Sequence, residues 1–538
     1  IIHDDRLPEP LWDLPDLSCE HIDLSARLRR GGGFPGLKTV AAYLGRPMLQ
    51  ELPYPPDKVL SDQEWEEVKR YNAIDLGHTW ALLERFAPEL QALDVLSAEV
   101  EQELRSTPTP RVVEVVFQDA YRREHGVDPP RPGRPRELVY RPVAGVVKPR
   151  TPEAAEWYDR ITQPILMVGT EERMKPDVPK AQFSIGRLRL SAGAGGLHSL
   201  DEPRVYYSTR KSRLVSVDVA SFYPSLIATK GIAPQAYGRT GSAIYRDILD
   251  RRLRIKQEAK TVEDAAERER LDVQATALKL VLNSTFGKLG DPYSSLYDPA
   301  AFLAVTLSGE LMLIDLIERL AAVKVRVLSA NTDGLFLRVP RRGNRWRKIL
   351  TSWQRDTGMT LEIEGLKRLA IVATNNYATL DAKGKVKRKG DKLKASMSIS
   401  PFTSCNNLIV NDAVAEALLR DIPPEQTVRS CSDPVRFCRI TRRTGKVTAA
   451  VVIDEETGEE IELPKVARWY KAKDSRRHIV HRFGDGHHTT PPGAVGIGLA
   501  LDLGDGRLPD DIDRSSYIAE ARRVVQKVRG YRHRSTRR

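Results

Sequence analysis

The sequence predicts a mixed α/β (α+β) fold of several domains, and three stretches carry that prediction. RLVSVDVASFYPSLI, residues 213–227, passes from a β-branched run into a turn and a helix. Two charged helical stretches, 243–260 and 263–287, precede an apolar helix over about 300–322. KVRVLSANTDGLFLRV, residues 324–339, reads as a β-hairpin. At 538 residues, the chain has room for three or four units of roughly 150 residues.

Composition narrows the class. Apolar residues at 41% and charged residues at 29% exclude a disordered tail, a collagen-like fibre and a disulfide scaffold. The cysteines (Cys19, Cys405, Cys431, Cys438) lack CxxC spacing, which argues against structural zinc and for a reducing compartment. The apolar stretch 302–327 is broken by Glu310, Asp315, Glu318 and Arg319, too polar for bilayer crossing. The opening IIHDDRLPEP has neither a basic nor an apolar signal region and no initiator Met, and reads as a truncated or processed start. Against 72 acidic residues stand 85 Lys+Arg, a formal +13 that favours a polyanionic partner. Basic runs at 383–394 and 522–538 fit phosphate contact or solvated faces equally well.

Along the chain, residues 1–95 end in the helix SDQEWEEVKRYNAIDLGHTWALLERF, started by a Ser61/Glu64 capping box. Trp65, Val68, Tyr71, Ile74, Leu76 and Leu82 form its expected apolar stripe. Residues 96–204 are dense in proline, with a glycine patch SAGAGGLHS at 191–199, and read as connecting turns. Residues 205–242 hold the first strand and turn, 243–289 an αα-hairpin, and 290–372 the apolar helix and β-hairpin. Residues 373–538 alternate strands, basic loops and short helices.

Two carboxylates carry the chemistry. Asp218 stands where the first strand meets its turn, and Asp333 in the turn of the later hairpin. Alone, each has an ordinary reading: an N-cap or strand-end turn for Asp218, an Asp-Gly hairpin turn for Asp333. Together, at the ends of two apolar strands, they converge if the strands are sheet neighbours. Paired carboxylates repel unless cations lie between them, the arrangement of a two-metal phosphoryl-transfer site. Arg252 and Lys256 share one face of the first hairpin helix, and Lys279 and Asn283 one face of the second. Packed antiparallel, the two pairs could face one groove and hold phosphates. Lys279, inside ALKLVLNSTFG, is expected to need partners among its apolar neighbours.

These residues resemble the motifs of the family B DNA polymerases. Asp218-Val-Ala-Ser-Phe-Tyr-Pro-Ser225 resembles motif A, D-x-x-S-L-Y-P-S; Lys279, Asn283, Ser284, Phe286 and Gly287 resemble motif B; Ala330-Asn-Thr-Asp-Gly334 resembles motif C. Arg252 and Lys256 are similar to the R-x-x-x-K pair of the first fingers helix. The resemblance implies a right-hand palm (205–242 and 290–372), fingers (243–289) and thumb with a basic tail (373–538). A partial RNase H-like 3′–5′ exonuclease (1–95) and a connecting region (96–204) would precede them. Asp218, Asp333 and the Val219 carbonyl would bind two Mg²⁺ ions, with Mn²⁺ as a substitute. Ser221, Phe222, Arg252, Lys256, Lys279 and Asn283 would hold the dNTP, with Tyr223 as the gate against a 2′-hydroxyl. Gly287, Tyr377, Lys387, Arg388 and Lys389 would contact primer–template DNA. Implied partners are dNTPs, primer–template DNA and accessory replication proteins, with no membrane, for a monomer in the cytoplasm (the host's, for a phage or plasmid replicase). The short span between motifs A and B leaves no room for a protein-priming insertion.

Several positions depart from the pattern. Asn331 stands for the first aspartate of motif C, Ser329 lies near its usual tyrosine, Phe286 replaces a tyrosine, and Thr374-Asn375-Asn376-Tyr377 lacks the lysines of K-K-x-Y. Tyr71-x-x-x-Asp75 resembles the third exonuclease motif without the first two, so no proofreading is expected. Gly193-Ala-Gly-Gly196 resembles a Y-x-G-G linker without its tyrosine. His478, His481, His487 and His488 lack a metal-fixing spacing. Two rival readings are an RNA-templated palm polymerase, against which the Tyr223 gate and the missing Y-x-D-D turn argue, and a catalytically weak DNA-binding replication scaffold.

Overall fold

The computed structural model describes all residues except 1–19, 30–34, 171–172, 398–406, 444, 505 and 531–538. Cys19, Cys405 and the end of the basic tail lie outside the described residues. At its centre is a seven-stranded antiparallel sheet: β1 (Arg204–Tyr207), β2 (Ser212–Val219), β3 (Arg326–Ala330), β4 (Gly334–Pro340), β5 (Leu361–Ala373), β6 (Asn376–Asp381) and β7 (Val386–Lys389). The strand order is β7-β6-β5-β2-β4-β3, with β1 also on β5. The 13-residue β5 is long enough to pair β2 along its first half and β1 along its second.

Period-2 alternation sorts β2. Val215, Val217 and Val219 enter the main core with Leu335, Leu337 and Val339 of β4. Leu214 faces the other way, into a small cluster with Phe336, Leu366 and Tyr377. Ser216 and Asp218 continue that second face to the strand end, so the sheet has one sealed side and one side carrying polar chemistry.

Helices cover the sealed side. We label α1 (Asp62–Val100), α2 (Thr109–His125), α3 (Phe222–Lys230), α4 (Gly238–Thr261), α5 (Ala265–Leu289), α6 (Pro299–Ala322), α7 (Leu408–Arg420) and α8 (Arg514–Gly530). α4 and α5 form the expected αα-hairpin, packed on each other across a short 262–264 connection. α6 is long and apolar enough to span a bilayer by composition, yet 83% of that window is buried inside the fold. Its charges are internal anchors: Glu318 accepts the Arg150 and Thr151 amides at 2.9 and 2.7 Å, and Asp315 pairs with Arg319 at 2.7 Å. α7 and α8 build a second core against β5 and β6, and 439–499 folds into two small sheets around Trp469.

Two expectations need correction. Residues 96–204 are not mainly connectors: α2 buries Val112, Val113, Val116 and Phe117, and Trp157 lies 1% exposed. The prolines misled because Pro110 and Pro152 sit in the first turns of helices, where a missing N–H costs nothing. The capping box of α1 forms as expected, but Trp65 and Leu76 are 51% and 62% exposed. The buried stripe instead runs Tyr71, Asp75, His78, Leu82, because Lys38 pairs with Asp75 and lets a carboxylate occupy the inward face.

Candidate active site

β2 and β4 are neighbours, and their register places Asp218 directly across from Gly334. The turn that carries Asp333 therefore ends beside Asp218, and the Val219 amide donates to the Asp333 carbonyl at 2.8 Å. The Asp-Gly turn reading fails here. Neither Asp333 nor Gly334 has a positive φ, whereas the tight two-residue turn requires it. Gly334 is needed for space: a Cβ there would lie 2.1 Å from Asp218 Oδ1. Asp218 Oδ2 accepts the Ser216 hydroxyl at 2.9 Å. Burial and the neighbouring Asp333 charge push the Asp218 carboxyl above its usual range, while Ser216 opposes them.

At the end of β2 the chain passes through Ser221, an exposed non-glycine residue in left-handed backbone (φ 46°, ψ 53°) that opens α3. Such strain persists where surrounding structure enforces it, commonly at functional sites. The first amides of α3, near Ser221 and Phe222, have no intrahelical acceptor and suit an anion. Phe222 is buried against α6, with Gly309 leaving it room. Tyr223 is half-buried, its ring 4.5 Å from Phe286 of α5, which stacks on Phe302 of α6 at 4.9 Å. Burial, then the Glu310 and Asp333 charges, raise the Tyr223 hydroxyl, so it stays a neutral phenol.

Lys279 and Asn283 do share one face of α5, but that face is exposed; the apolar neighbours Leu278, Val281 and Leu282 point the opposite way. Helical periodicity thus removes the expected need for buried partners. Both residues line a cavity of about 1620 Å³ that Arg85 of α1 and Arg436 close from the other side. Arg252 and Lys256 are not in its lining: Lys256 is exposed, and the half-buried Arg252 leaves its Nε without a partner. Gly287 is exposed with open space around it. It lies in the last turn of α5, and no internal packing explains it.

The basic strand β7 splits by alternation. Lys387 pairs with Glu364 at 2.5 Å, and Lys389 lies 5.8 Å from the Tyr377 ring, both on the aspartate side. Arg388 faces away, paired with Asp412 of α7 at 2.6 Å, and is not presented to the cleft. Tyr377 reaches the turn itself: its hydroxyl accepts from Asn331 Nδ2 at 3.4 Å, and burial and both aspartates raise its ionisation. Tyr71 and Asp75 are remote from this site. Asp75 is already neutralised by Lys38, whose Nζ lies 4.4 Å from the Tyr71 ring. Of the histidines, His478 meets Glu455 at 3.2 Å.

Sequence reading missed Glu362 and Glu364. Glu362 lies across β5 from Asp218 and Glu364 from Ser216, on the aspartate face. Their i, i+2 spacing in LEIEGL was visible; the register that aims them was not. Among the described residues no group of three or more His, Cys, Asp or Glu is gathered as a metal cluster. The Asp218–Asp333 pair instead suits a hard divalent cation completed by water and phosphate oxygens.

A second acid supports the hairpin. Asp201 accepts the Ser199 hydroxyl at 2.7 Å and the Ser329 hydroxyl at 2.9 Å, and burial raises its carboxyl to about 6. A raised folded-state value means that this group's contribution is fully present below the ordinary carboxylate range and is lost as pH rises through about 6. Asp201→Asn is expected to escape that loss, gaining roughly 1–2 kcal/mol on the parent between pH 5 and 7.5. Urea unfolding at the two pH values checks it; parallel pH profiles would exclude the effect.

Comparison with known proteins finds similarity to DNA polymerases. Residues 241–335 match the DNA polymerase family B model. The family B segment takes in α5, the Asp333 turn and the start of β4 and stops short of Asp218 on its N-terminal side. A DNA polymerase of Pyrococcus glycovorans is 28% identical over 287 residues, 47% of this chain and 35% of the relative. A DNA polymerase of Thermococcus sp. (strain 9oN-7) is 25% identical over 334 residues, 55% of this chain and 40% of the relative. The matches thus span two-fifths or less of these relatives' length. Among solved structures, the family B DNA polymerase from Pyrobaculum calidifontis aligns with TM-score 0.45 and 15% identity, over 92% of this chain and 61% of that one.

Proposed function

We propose that the chain catalyses template-directed DNA synthesis: a primer 3′-hydroxyl attacks the α-phosphate of a dNTP, and pyrophosphate leaves. The observation that carries this is the convergence of Asp218 and Asp333 at one sheet end, beside Tyr223 and the start of α3. Two Mg²⁺ ions, when bound, would supply Lewis-acid stabilisation of the phosphoryl charge. The protein's own part is positioning. Asp218, Asp333 and the Val219 carbonyl would hold the cations, and the amides near Ser221 and Phe222 would hold phosphate oxygens. Lys279 and Asn283 contribute from the cavity wall, and Lys387 and Lys389 meet the primer–template backbone. Incubating the purified chain with Mg²⁺, dNTPs and a labelled primer–template tests this; DNA binding without extension would favour the scaffold reading.

Tyr223 packs at a 51° tilt against Phe286, with ring centroids 4.5 Å apart, which supports the tyrosine ring as the surface a sugar would meet. Tyr223→Ala is expected to admit ribonucleotides at least about tenfold more readily, the scale of ~1.4 kcal/mol of discrimination. Competition between dNTP and rNTP measures this, and unchanged discrimination removes the gate assignment. The Lys38–Asp75 pair, which occupies the acid of the exonuclease-like motif, supports a chain without proofreading.

A further inference from the structure

The glycine turn Gly193–Gly196 has no role in the reading above, yet it lies against the Asp333 turn. Gly196 has φ +93°, and a Cβ there would stand 2.8 Å from Thr332 Cγ2, on the residue just before Asp333. Three residues on, the Ser199 hydroxyl accepts the Ala330 amide at 2.8 Å while donating to Asp201. Residues 193–199 therefore brace the turn from outside at Ala330 and Thr332. The far end of the brace is held from beneath. Glu310, in the middle of the core helix α6 and 2% exposed, accepts the Gly193 amide at 3.0 Å, and the Gly196 amide closes the turn on the Gly193 carbonyl at 3.2 Å. Its other oxygen, Oε1, has no partner. Burial pushes this carboxyl well above the usual range. A buried acid without a basic partner is costly and poorly explained by core packing.

We infer that Glu310 is a positioning residue for Asp333, acting through the Gly193–Gly196 turn on Thr332. The inference rests on the proposed metal-dependent synthesis at Asp218 and Asp333. What reaches the glycine turn is an acceptor oxygen, the one that takes the Gly193 amide. Glutamine can keep that oxygen; leucine, similar in bulk, cannot.

The test compares Glu310→Gln, Glu310→Leu and the parent chain for Mn²⁺ affinity by electron paramagnetic resonance, for kcat in primer extension and for DNA affinity. Glu310→Leu is expected to weaken Mn²⁺ binding about tenfold and lower kcat at unchanged DNA affinity, with Glu310→Gln close to the parent. If Glu310→Leu does not fold, Gly196→Ala, which drives a methyl into Thr332, is expected to show the same Mn²⁺ defect. A folded Glu310→Leu with the parent's Mn²⁺ affinity, or Gly196→Ala with that affinity where the leucine variant is unfolded, overturns the inference. A parent chain that binds Mn²⁺ but extends no primer overturns the proposed reaction and leaves this comparison decisive.

Discussion

Asp333→Asn is expected to reduce primer extension about a thousandfold or more, equivalent to roughly 4 kcal/mol of transition-state stabilisation. Asparagine is nearly isosteric, so the turn should keep its shape: the Val219 amide is bonded to the Asp333 backbone carbonyl, which the substitution leaves intact. Only the carboxylate charge is lost. Asp218→Asn should give the same loss with DNA affinity unchanged, and the double variant should be little worse than either single one, as for residues that act as a unit. Steady-state extension with a parallel DNA-binding titration separates catalysis from binding. Extension by Asp333→Asn within tenfold of the parent would remove Asp333 from the site.

Gly334→Ala has the second-largest expected effect and touches no charge. Its φ is ordinary, so alanine strains no backbone; the added methyl falls where Asp218 Oδ1 now lies, 2.1 Å away. The carboxylate must rotate off the strand and leave the Ser216 hydroxyl. A displacement of this order costs about a hundredfold in rate where chemistry depends on position. The defect is expected to appear as a higher Mg²⁺ requirement and to be relieved in part by Mn²⁺. An unchanged Mg²⁺ dependence would show that the Asp218 rotamer is immaterial.

Much of this was legible in the sequence. The apolar run ending at Asp218, the αα-hairpin and the 324–339 hairpin all announce themselves through local periodicity, and each forms at the expected place. What sequence could not supply is register and facing. Gly334 across from Asp218, and Glu362 across from it on the other side, depend on which strands pair and how. Arg388 looked equivalent to Lys387 and Lys389 until strand alternation turned it toward Asp412. Lys279 looked buried in an apolar word until the helix turned it outward. Glu310 was noted only as an interruption in an apolar helix, because its partner is a glycine amide 117 residues earlier in the chain.

The central claim is that two acids from adjoining strands grip divalent cations next to an incoming nucleotide. Anomalous Mn²⁺ scattering from crystals grown with primer–template and a non-hydrolysable dNTP addresses it directly. The account predicts Mn²⁺ peaks bridging Asp218 and Asp333, with the nucleotide sugar against Tyr223. Peaks located elsewhere, or a nucleotide bound away from both carboxylates, would contradict it.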